Sequence, residues 1–146
     1  MTASPTALAV YGTLRRGERN DSLLRGTRYL GLGRIAGRMR EMPRTAAREY
    51  PYPSLILDGE DRGGDVVIEL YEMTDPLLLA AADALEAFDP GDVAGSEYVR
   101  RAVDVVDGPV ATAWVYVYNG PPEAVGETIP DGDWVAHRAR VSIPPA

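Results

Sequence analysis

The hydrophobic period changes once between residues 73 and 76, and this change restricts the fold more than any other feature of the chain. Residues 65–73 (DVVIELYEM) alternate in hydrophobicity, as a half-buried strand does. Residues 74–76 (TDP) then supply an oxygen-bearing cap and a proline at the first helical position, and the Ala/Leu-rich run 77–88 follows. The pattern therefore predicts a strand followed directly by one helix, which ends at residues 89–91 (DPG).

The other periodic segments are mostly strand-like. Residues 97–119 predict a hairpin around Asp107-Gly108, a strong tight-turn signal. Strands outnumber helices and no strand–helix–strand alternation is present, so the pattern favours an α+β fold with a mixed or barrel-like sheet over a doubly wound fold. The remaining predicted elements are a strand at 8–11, one or two helical turns at 20–25, a long bent strand at 27–41 and an edge strand within 49–59.

The chain length predicts one domain. With 146 residues the chain can bury a substantial core, and we expect a single domain that spans 1–146. Residues 1–6 contain serine, proline and two threonines, which predicts a short disordered arm. Residues 120–146 carry five prolines, and we expect them to form a Pro-rich tail on the surface.

Composition removes several classes of function. The formal net charge of −7 argues against a broad nucleic-acid or anionic-membrane surface, because phosphate groups would be repelled at long range. The chain has no cysteine, and its one histidine is His137, which excludes disulfides, thiol nucleophiles and Cys-ligated or multi-His metal sites. A Ser-His-Asp triad would have to use His137, and we do not expect one.

The sequence also carries no membrane or export signal that we can identify. No apolar run approaches the ~20 residues of a membrane-spanning helix. The N-terminal residues MTASPTALAV lack the basic and long apolar regions of a signal peptide. We therefore expect a cytoplasmic protein without membrane or nucleic-acid partners.

The stretch VYGTLRRGERN (10–20) leaves the first predicted strand through a glycine-containing turn. It has neither the spacing of a phosphate-binding loop nor that of a dinucleotide-binding fingerprint. Consecutive backbone N–H groups in such a turn can form a small anion-binding nest. On the local sequence alone, however, Gly12 is more simply explained as a turn residue. Arg15 and Arg16 are not assigned a role, and a solvated rim is the simplest expectation for them.

Glu86 lies in the last turn of the predicted helix, between Leu85 and Phe88. A carboxylate there meets the negative end of the helix dipole, and partial burial would raise its pKa further. A raised pKa suits a residue that exchanges protons near neutral pH. The alternative is an exposed surface glutamate with high helix propensity, and the residues alone favour that alternative.

Aromatic side chains recur along the second strand of the predicted hairpin. Trp114, Tyr116 and Tyr118 share one face at a spacing of two residues. Such a row is usually part of a core, but it can also form the wall of a small pocket with a hydroxyl pointing in. Tyr98, just after the loop that follows Glu86, is a second candidate of that kind.

Two motifs together resemble the γ-glutamylcyclotransferase-like family, which includes γ-glutamylamine cyclotransferases and AIG2-like (avirulence-induced-gene) proteins. The string YGTLRRG-x-x-N (11–20) is similar to the family's N-terminal signature. The string DALEAFDP (83–90), followed by YVRR (98–101), is similar to a second motif that carries a glutamate. Weaker similarity extends the resemblance over roughly residues 8–135, through the segments 67–71, 113–118 and 132–134.

The resemblance implies a small mixed β-barrel with flanking helices, and an enzyme that releases 5-oxoproline and a free amine or amino acid from a γ-glutamyl amide by intramolecular aminolysis. It implies that Glu86 is the catalytic general base and acid. It implies no metal and no organic cofactor, and a small-molecule γ-glutamyl substrate as the partner. The substrate-binding residues that it implies are Tyr11, Gly12, Thr13, Leu14, Tyr98 and Tyr118, with the first-turn amides holding a carboxylate or the developing oxyanion.

Two other functions stay open at this point. One is a non-catalytic binding or regulatory module that uses the same pocket. The other is an amide-forming or acyl-transfer enzyme with related chemistry. Residues 40–55 fit the family pattern poorly and the loop between Glu86 and Tyr98 is long, so the leaving amine is not assigned. The sequence also leaves the oligomeric state open.

Overall fold

The described part of the chain forms seven strands, two α-helices and one short 3-10 helix. A computed structural model describes residues 5–18, 20–42, 52–57, 64–121 and 125–140. The strands are β1 (Ala7–Val10), β2 (Tyr29–Ala36), β3 (Arg38–Met42), β4 (Tyr52–Ile56), β5 (Asp65–Glu72), β6 (Tyr98–Asp104) and β7 (Thr112–Tyr118). The helices are α1 (Pro76–Leu85), α2 (Trp134–Arg140) and the 3-10 helix Asp21–Leu24.

Five strands form one mixed sheet in the order β2-β5-β1-β7-β6, and β3 pairs with β4 in a second sheet. β1 is antiparallel to β5 and parallel to β7. The amide of Arg34 in β2 donates to the carbonyl of Asp107 at 2.7 Å, and the amide of Val106 donates to the carbonyl of Arg34 at 2.8 Å. These bonds bring the two ends of the larger sheet together, so the α+β fold with a mixed, barrel-like sheet is confirmed.

The same bonds correct the predicted hairpin turn. Asp107-Gly108 does not form a two-residue turn, because residues 105–111 all lie between β6 and β7. The segment extends outward to pair with β2, and this long-range pairing overrides the local turn signal.

The long strand expected at 27–41 is also divided. It breaks at Gly37, which has a φ of 147°, and β2 and β3 belong to different sheets. A Cβ atom at Gly37 would lie 2.8 Å from a methyl group of Leu55, so the break needs glycine for space as well as for conformation. The edge strand expected within 49–59 is β4; residues 49–51, 58 and 59 lie outside the described residues.

The larger sheet has a hydrophobic core on each side. Ala7 and Ala9 of β1 face one core, whereas Leu8 and Val10 face the other, so β1 is buried on both faces. The second core contains the inner side of α1 and most of the tyrosines. This second core is the one that borders the cleft described below.

The C-terminal segment is more than the surface tail that its prolines predict. Ile129 and Trp134 are each 2% exposed and belong to the first core, and α2 begins at Trp134. The short arm predicted at the N-terminus falls partly outside the described residues, which begin at Pro5. Pro5 is buried, and the carbonyl of Thr6 accepts a hydrogen bond from the amide of Met73 at 2.7 Å.

Candidate active site

A narrow cleft opens where the turn after β1, strand β4, the end of α1 and strands β6 and β7 meet. It holds about 380 Å³ of empty space, including the part that is open to solvent, which suits a small group rather than a large ligand. Its lining consists of residues 9–14, Tyr52, Pro53, Glu86, Tyr98 and Tyr116.

The cleft brings together most of the residues that the sequence singled out. Glu86, Tyr98 and residues 11–14 all line it, although Glu86 is far along the chain from the first turn. Tyr118 is the exception, since it is not part of the lining in the described part of the chain. Its hydroxyl donates to the carbonyl of Pro121 at 2.9 Å, and its ring packs edge-on behind Tyr98 with the centroids 5.9 Å apart.

The turn after β1 is held by its own hydrogen bonds. The carbonyl of Gly12 accepts from the amide of Arg15 at 3.0 Å, and the carbonyl of Thr13 accepts from the amide of Asn20 at 2.7 Å. The Asn20 side chain also donates to the Thr13 hydroxyl at 2.9 Å. Within the described residues, the amide N–H groups of Gly12, Thr13 and Leu14 donate to no protein acceptor, and all three residues line the cleft.

Gly12 is required by a close approach in the cleft wall. A Cβ atom at this position would lie 2.6 Å from Cγ of Pro53, so even alanine would force one side of the wall to move. The turn interpretation of Gly12 is therefore incomplete, because the glycine also allows the first turn to pack against β4.

Arg15 is buried, which corrects the expectation of a solvated rim. Its Nε lies 2.9 Å from Oε2 of Glu69, and its Nη1 lies 2.8 Å from Oδ1 of Asp133. The other carboxylate oxygen of Glu69 accepts from the amide of Arg16 at 2.8 Å. Arg16, by contrast, is exposed, and its guanidinium lies 3.9 Å from the centre of the Tyr29 ring.

Glu86 is placed by the way in which α1 ends. The Asp75 carboxylate caps the first turn by accepting from the amide of Leu77 at 2.9 Å. At the other end, Ala87 has a left-handed φ of 55°, and the amide of Phe88 donates to the carbonyl of Asp83 at 2.9 Å. This is the hydrogen bond of a Schellman motif, and it fixes Glu86 as the C-cap residue at the cleft wall.

Buried hydroxyl groups connect the walls of the cleft. The Tyr11 hydroxyl donates to the carbonyl of Tyr116 at 2.6 Å and accepts from the amide of Leu55 at 3.3 Å. The Tyr98 hydroxyl shares a hydrogen bond of 2.6 Å with Oγ of Ser54. These bonds tie β7 and β4 to the first turn.

Two of these tyrosines keep their protons well above neutral pH. Burial raises the pKa of Tyr98, and the neighbouring Tyr11 and Glu86 add to the effect. Burial also raises the pKa of Tyr116, together with the hydrogen bond and charge of Asp83 and the charge of Glu86. Both hydroxyls therefore enter any reaction at neutral pH as neutral groups with Glu86 nearby.

Sequence reasoning missed Tyr116 and Asp83 as parts of this site. Tyr116 was noted only as a member of an aromatic row, and Asp83 only as a letter in the second motif. The available signal was the spacing, because Asp83 precedes Glu86 by three residues and so lies on the same side of α1. Tyr52 and Pro53 were missed as well, and no local pattern marks them as wall residues.

Two further observations bear on the class of protein. Among the described residues, no group of three or more His, Asp or Glu side chains is arranged to hold a metal ion. In the same ranges, neither α1 nor α2 has the length and hydrophobicity that crossing a membrane requires.

Comparisons with known proteins point to one family. The family model described as gamma-glutamyl cyclotransferase, AIG2-like, matches residues 8–136. A Vibrio cholerae protein provisionally named a gamma-glutamylcyclotransferase is 32% identical over 126 residues, which cover 86% of this chain and 91% of that protein. A Niallia circulans protein, named gamma-L-glutamyl-butirosin B gamma-glutamyl cyclotransferase, is 30% identical over 119 residues, which cover 77% of this chain and 66% of that protein.

A solved structure shows the same fold. It is that of an AIG2-like protein from Mus musculus, with a TM-score of 0.59, 24% identity, and coverage of 82% of this chain and 81% of that one. The family match spans nearly the whole described fold and includes the first turn and Glu86. The chain therefore belongs to the gamma-glutamyl cyclotransferase, AIG2-like family of enzymes.

Proposed function

We propose that this protein converts a γ-glutamyl amide into 5-oxoproline and a free amine or amino acid, with Glu86 as general base and then general acid. The observation that carries the proposal is that Glu86 and residues 12–14 line one narrow cleft. A carboxylate and a set of backbone donors in one small space are the two features that this reaction needs.

The reaction is a ring closure within one molecule. The α-nitrogen of the glutamyl group attacks the γ-carbonyl carbon, a new C–N bond forms, and the bond from that carbon to the leaving nitrogen breaks. Because the α-nitrogen enters as an ammonium and leaves as a lactam N–H, it loses two protons, and the leaving amine gains two. No net proton is released, so one carboxylate that accepts and returns protons suffices, and Glu86 has this role in the proposal.

The first turn has the opposite electrostatic role. The glutamyl α-carboxylate is negative throughout, and the γ-carbonyl oxygen becomes negative as the ring closes. The amides of Gly12, Thr13 and Leu14 supply preformed donors for either group, at no reorganisation cost during the reaction. The narrow cleft favours the folded conformer of the substrate, in which the nitrogen and the carbonyl carbon are already close.

The substrate class in this proposal is a γ-glutamyl amide whose leaving amine projects out of the cleft. The Niallia circulans relative is named for a γ-glutamyl substrate, gamma-L-glutamyl-butirosin B, which supports a γ-glutamyl group as the part that is held. The cleft itself is large enough only for a small group, so the amine extends out of it into solvent.

The test is release of 5-oxoproline from a panel of γ-glutamyl amides that includes γ-glutamyl amino acids, γ-glutamyl alkylamides and γ-glutamyl-lysine. We expect turnover of at least one member by the wild-type protein. Glu86→Gln keeps the shape of the side chain and removes its proton transfer, so turnover should fall about 10²-fold or more. Glu72→Gln, at an exposed position on β5, is the matched control and should keep wild-type turnover.

Full turnover by Glu86→Gln would show that the assigned role is wrong. No turnover across the panel, with calorimetry showing that 5-oxoproline or a γ-glutamyl amide binds, would instead favour a non-catalytic binding module. A glutamyl product transferred to another amine would indicate an acyl-transfer enzyme.

A further inference from the structure

Asp83 and Tyr116 form a buried hydrogen bond beside the cleft that neither the proposed reaction nor the family match uses. Asp83 is 7% exposed and Tyr116 is 3% exposed. The Tyr116 hydroxyl donates to Oδ1 of Asp83 over 2.6 Å. Tyr116 lines the cleft, whereas Asp83 lies behind it on α1, one helical turn before Glu86.

The direction of this hydrogen bond determines what Tyr116 can offer a ligand. A phenol has one proton to donate and lone pairs to accept with. Because the Tyr116 hydroxyl donates its proton in the hydrogen bond to Asp83, its oxygen can only accept a hydrogen bond from a group in the cleft. The nearby charges of Asp83 and Glu86 add to the effect of burial in raising the pKa of Tyr116, so the hydroxyl keeps this proton at neutral pH.

Arg100 holds Asp83 in place as a hydrogen-bond acceptor. Its Nε donates to Oδ1 of Asp83 at 2.9 Å, and its Nη2 donates to Oδ2 at 3.4 Å. The guanidinium lies 4.5 Å from the centre of the Trp114 ring, which limits its movement. Oδ1 of Asp83 therefore accepts from both the Arg100 guanidinium and the Tyr116 hydroxyl.

The cleft is consequently lined by two unlike kinds of group. The amides of residues 12–14 are donors, whereas Glu86 and the Tyr116 oxygen are acceptors. An α-amino acid group matches this polarity, since its carboxylate needs donors and its ammonium needs acceptors.

On the basis of the proposed function, we propose that Asp83, held by Arg100, is a positioning residue that keeps the Tyr116 proton out of the cleft, so that Tyr116 accepts a hydrogen bond from the α-nitrogen of the γ-glutamyl group. Tyr116 thereby orients the nitrogen that attacks, next to the carboxylate of Glu86. The simpler alternative is that Asp83 only joins α1 to β6 through its ion pair with Arg100.

A pair of ring compounds separates the two explanations without any turnover. 5-Oxoproline carries an N–H where the α-nitrogen was, and the matching γ-lactone carboxylate has a ring oxygen at the same atom. We expect the wild-type protein to bind the lactam more tightly than the lactone by about tenfold or more, since a buried acceptor that loses its donor costs about 1–3 kcal/mol. Calorimetry or ligand-observed NMR measures both dissociation constants.

The variants then trace the preference to these residues. Tyr116→Phe should reduce the preference several-fold, to the part that Glu86 contributes, whereas Tyr118→Phe, the same change on the same strand outside the cleft, should leave it unchanged. Asp83→Ala removes the acceptor of the Tyr116 proton, which can then point into the cleft, so the preference should shift toward the lactone. The double variant should show no further loss than Tyr116→Phe alone, because Asp83 acts through that hydroxyl.

Several results would overturn the inference. These are equal binding of the two rings, or binding of neither, by the wild type; an unchanged preference in Tyr116→Phe or in Asp83→Ala; and additive losses in the double variant, which indicate a purely structural role. If Asp83→Ala does not fold, fluorotyrosine at position 116 tests the same point. Its hydroxyl is a stronger donor and a weaker acceptor, so the lactam preference must fall.

The outcome is also independent of the proposed function. Failure of the wild type to release 5-oxoproline from every γ-glutamyl amide would reject the reaction but would leave the lactam-to-lactone ratio measurable. Turnover with no dependence of that ratio on Tyr116 would retain the reaction and reject the role of Asp83.

Discussion

The guanidinium of Arg15 and the carboxylate of Glu69 form a buried ion pair, with Nε and Oε2 2.9 Å apart and the two side chains only 8% and 6% exposed. Glu69 lies in the middle of β5, and Arg15 directly follows the amides that line the cleft. The pair therefore fastens the first turn to the central sheet. It is the reason that three consecutive backbone donors can keep one arrangement in an otherwise irregular segment.

Arg15→Met should destabilise the protein strongly. It leaves Glu69 buried without its cation, and breaking a buried pair from one side typically costs about 3–5 kcal/mol. Urea unfolding followed by circular dichroism measures the loss. Arg16→Met is the matched control, because that neighbouring side chain is exposed, and its change should cost less than about 1 kcal/mol. Equal losses in the two variants would contradict the assignment of Arg15 as an anchor.

Gly12→Ala should impair ligand binding more than folding. The new Cβ would meet Cγ of Pro53 at 2.6 Å, so the turn and β4 must separate at the cleft wall. We expect the affinity for 5-oxoproline to fall about tenfold or more, as overpacking of a well-fitted site typically costs about 1–3 kcal/mol. Gly91→Ala, in an exposed loop, is the comparison and should bind normally. Wild-type affinity in Gly12→Ala would show that the wall yields without consequence.

Ala87→Gly should stabilise the protein. Ala87 has a φ of 55°, a left-handed conformation that costs a residue with a side chain roughly 1–2 kcal/mol and that glycine adopts without this strain. Part of the gain is offset, because glycine also gives the unfolded chain more conformational freedom. We expect a net gain of up to about 1 kcal/mol in the free energy of unfolding. Ala84→Gly, within α1, should have the opposite sign and cost about 1 kcal/mol. A loss of stability in Ala87→Gly would mean that its methyl group makes contacts worth more than the strain.

Stability should fall at alkaline pH. The ordinary pKa of tyrosine is about 10, and burial, followed by the charge of Glu69, raises the pKa of Tyr71 to about 12. Above pH ~10 the unfolded chain releases this proton while the folded chain keeps it, so the favourable contribution is complete below pH ~10 and declines toward pH ~12. Tyr98 and Tyr116, whose pKa values are also raised, act in the same direction.

Urea unfolding between pH 8 and 12 tests this dependence. Each such tyrosine should contribute a slope of up to about 1.4 kcal/mol per pH unit in that window. Tyr71→Phe should reduce the slope, because it removes one of the groups that titrates differently in the two states. A wild-type curve that is flat across the window, or a slope that Tyr71→Phe leaves intact, would contradict the burial of these hydroxyls as the cause.

Local patterns were sufficient for the elements that depend on local physics. Residues 74–76 predict the start of α1, and the Asp75 side chain does cap it, because capping involves only residues within one turn. The alternation in 65–73 predicts β5 for a similar reason, since side chains of a strand alternate between faces whatever the strand pairs with. The motif around 11–20 pointed to the right turn and the right family.

Tertiary structure alone decided which of these residues meet. Arg15 looks like a surface residue in the sequence, since nothing near it predicts that Glu69 and Asp133 will enclose it. Asp83 and Tyr116 are likewise joined only by the packing of α1 against β7, and the tight turn expected at Asp107-Gly108 gave way to pairing with β2. The sequence by itself determined the helix, the strands and the candidate turn, because those follow from neighbours along the chain. The burial of charges and the direction of buried protons follow from neighbours in space, so they could be read only from the folded protein.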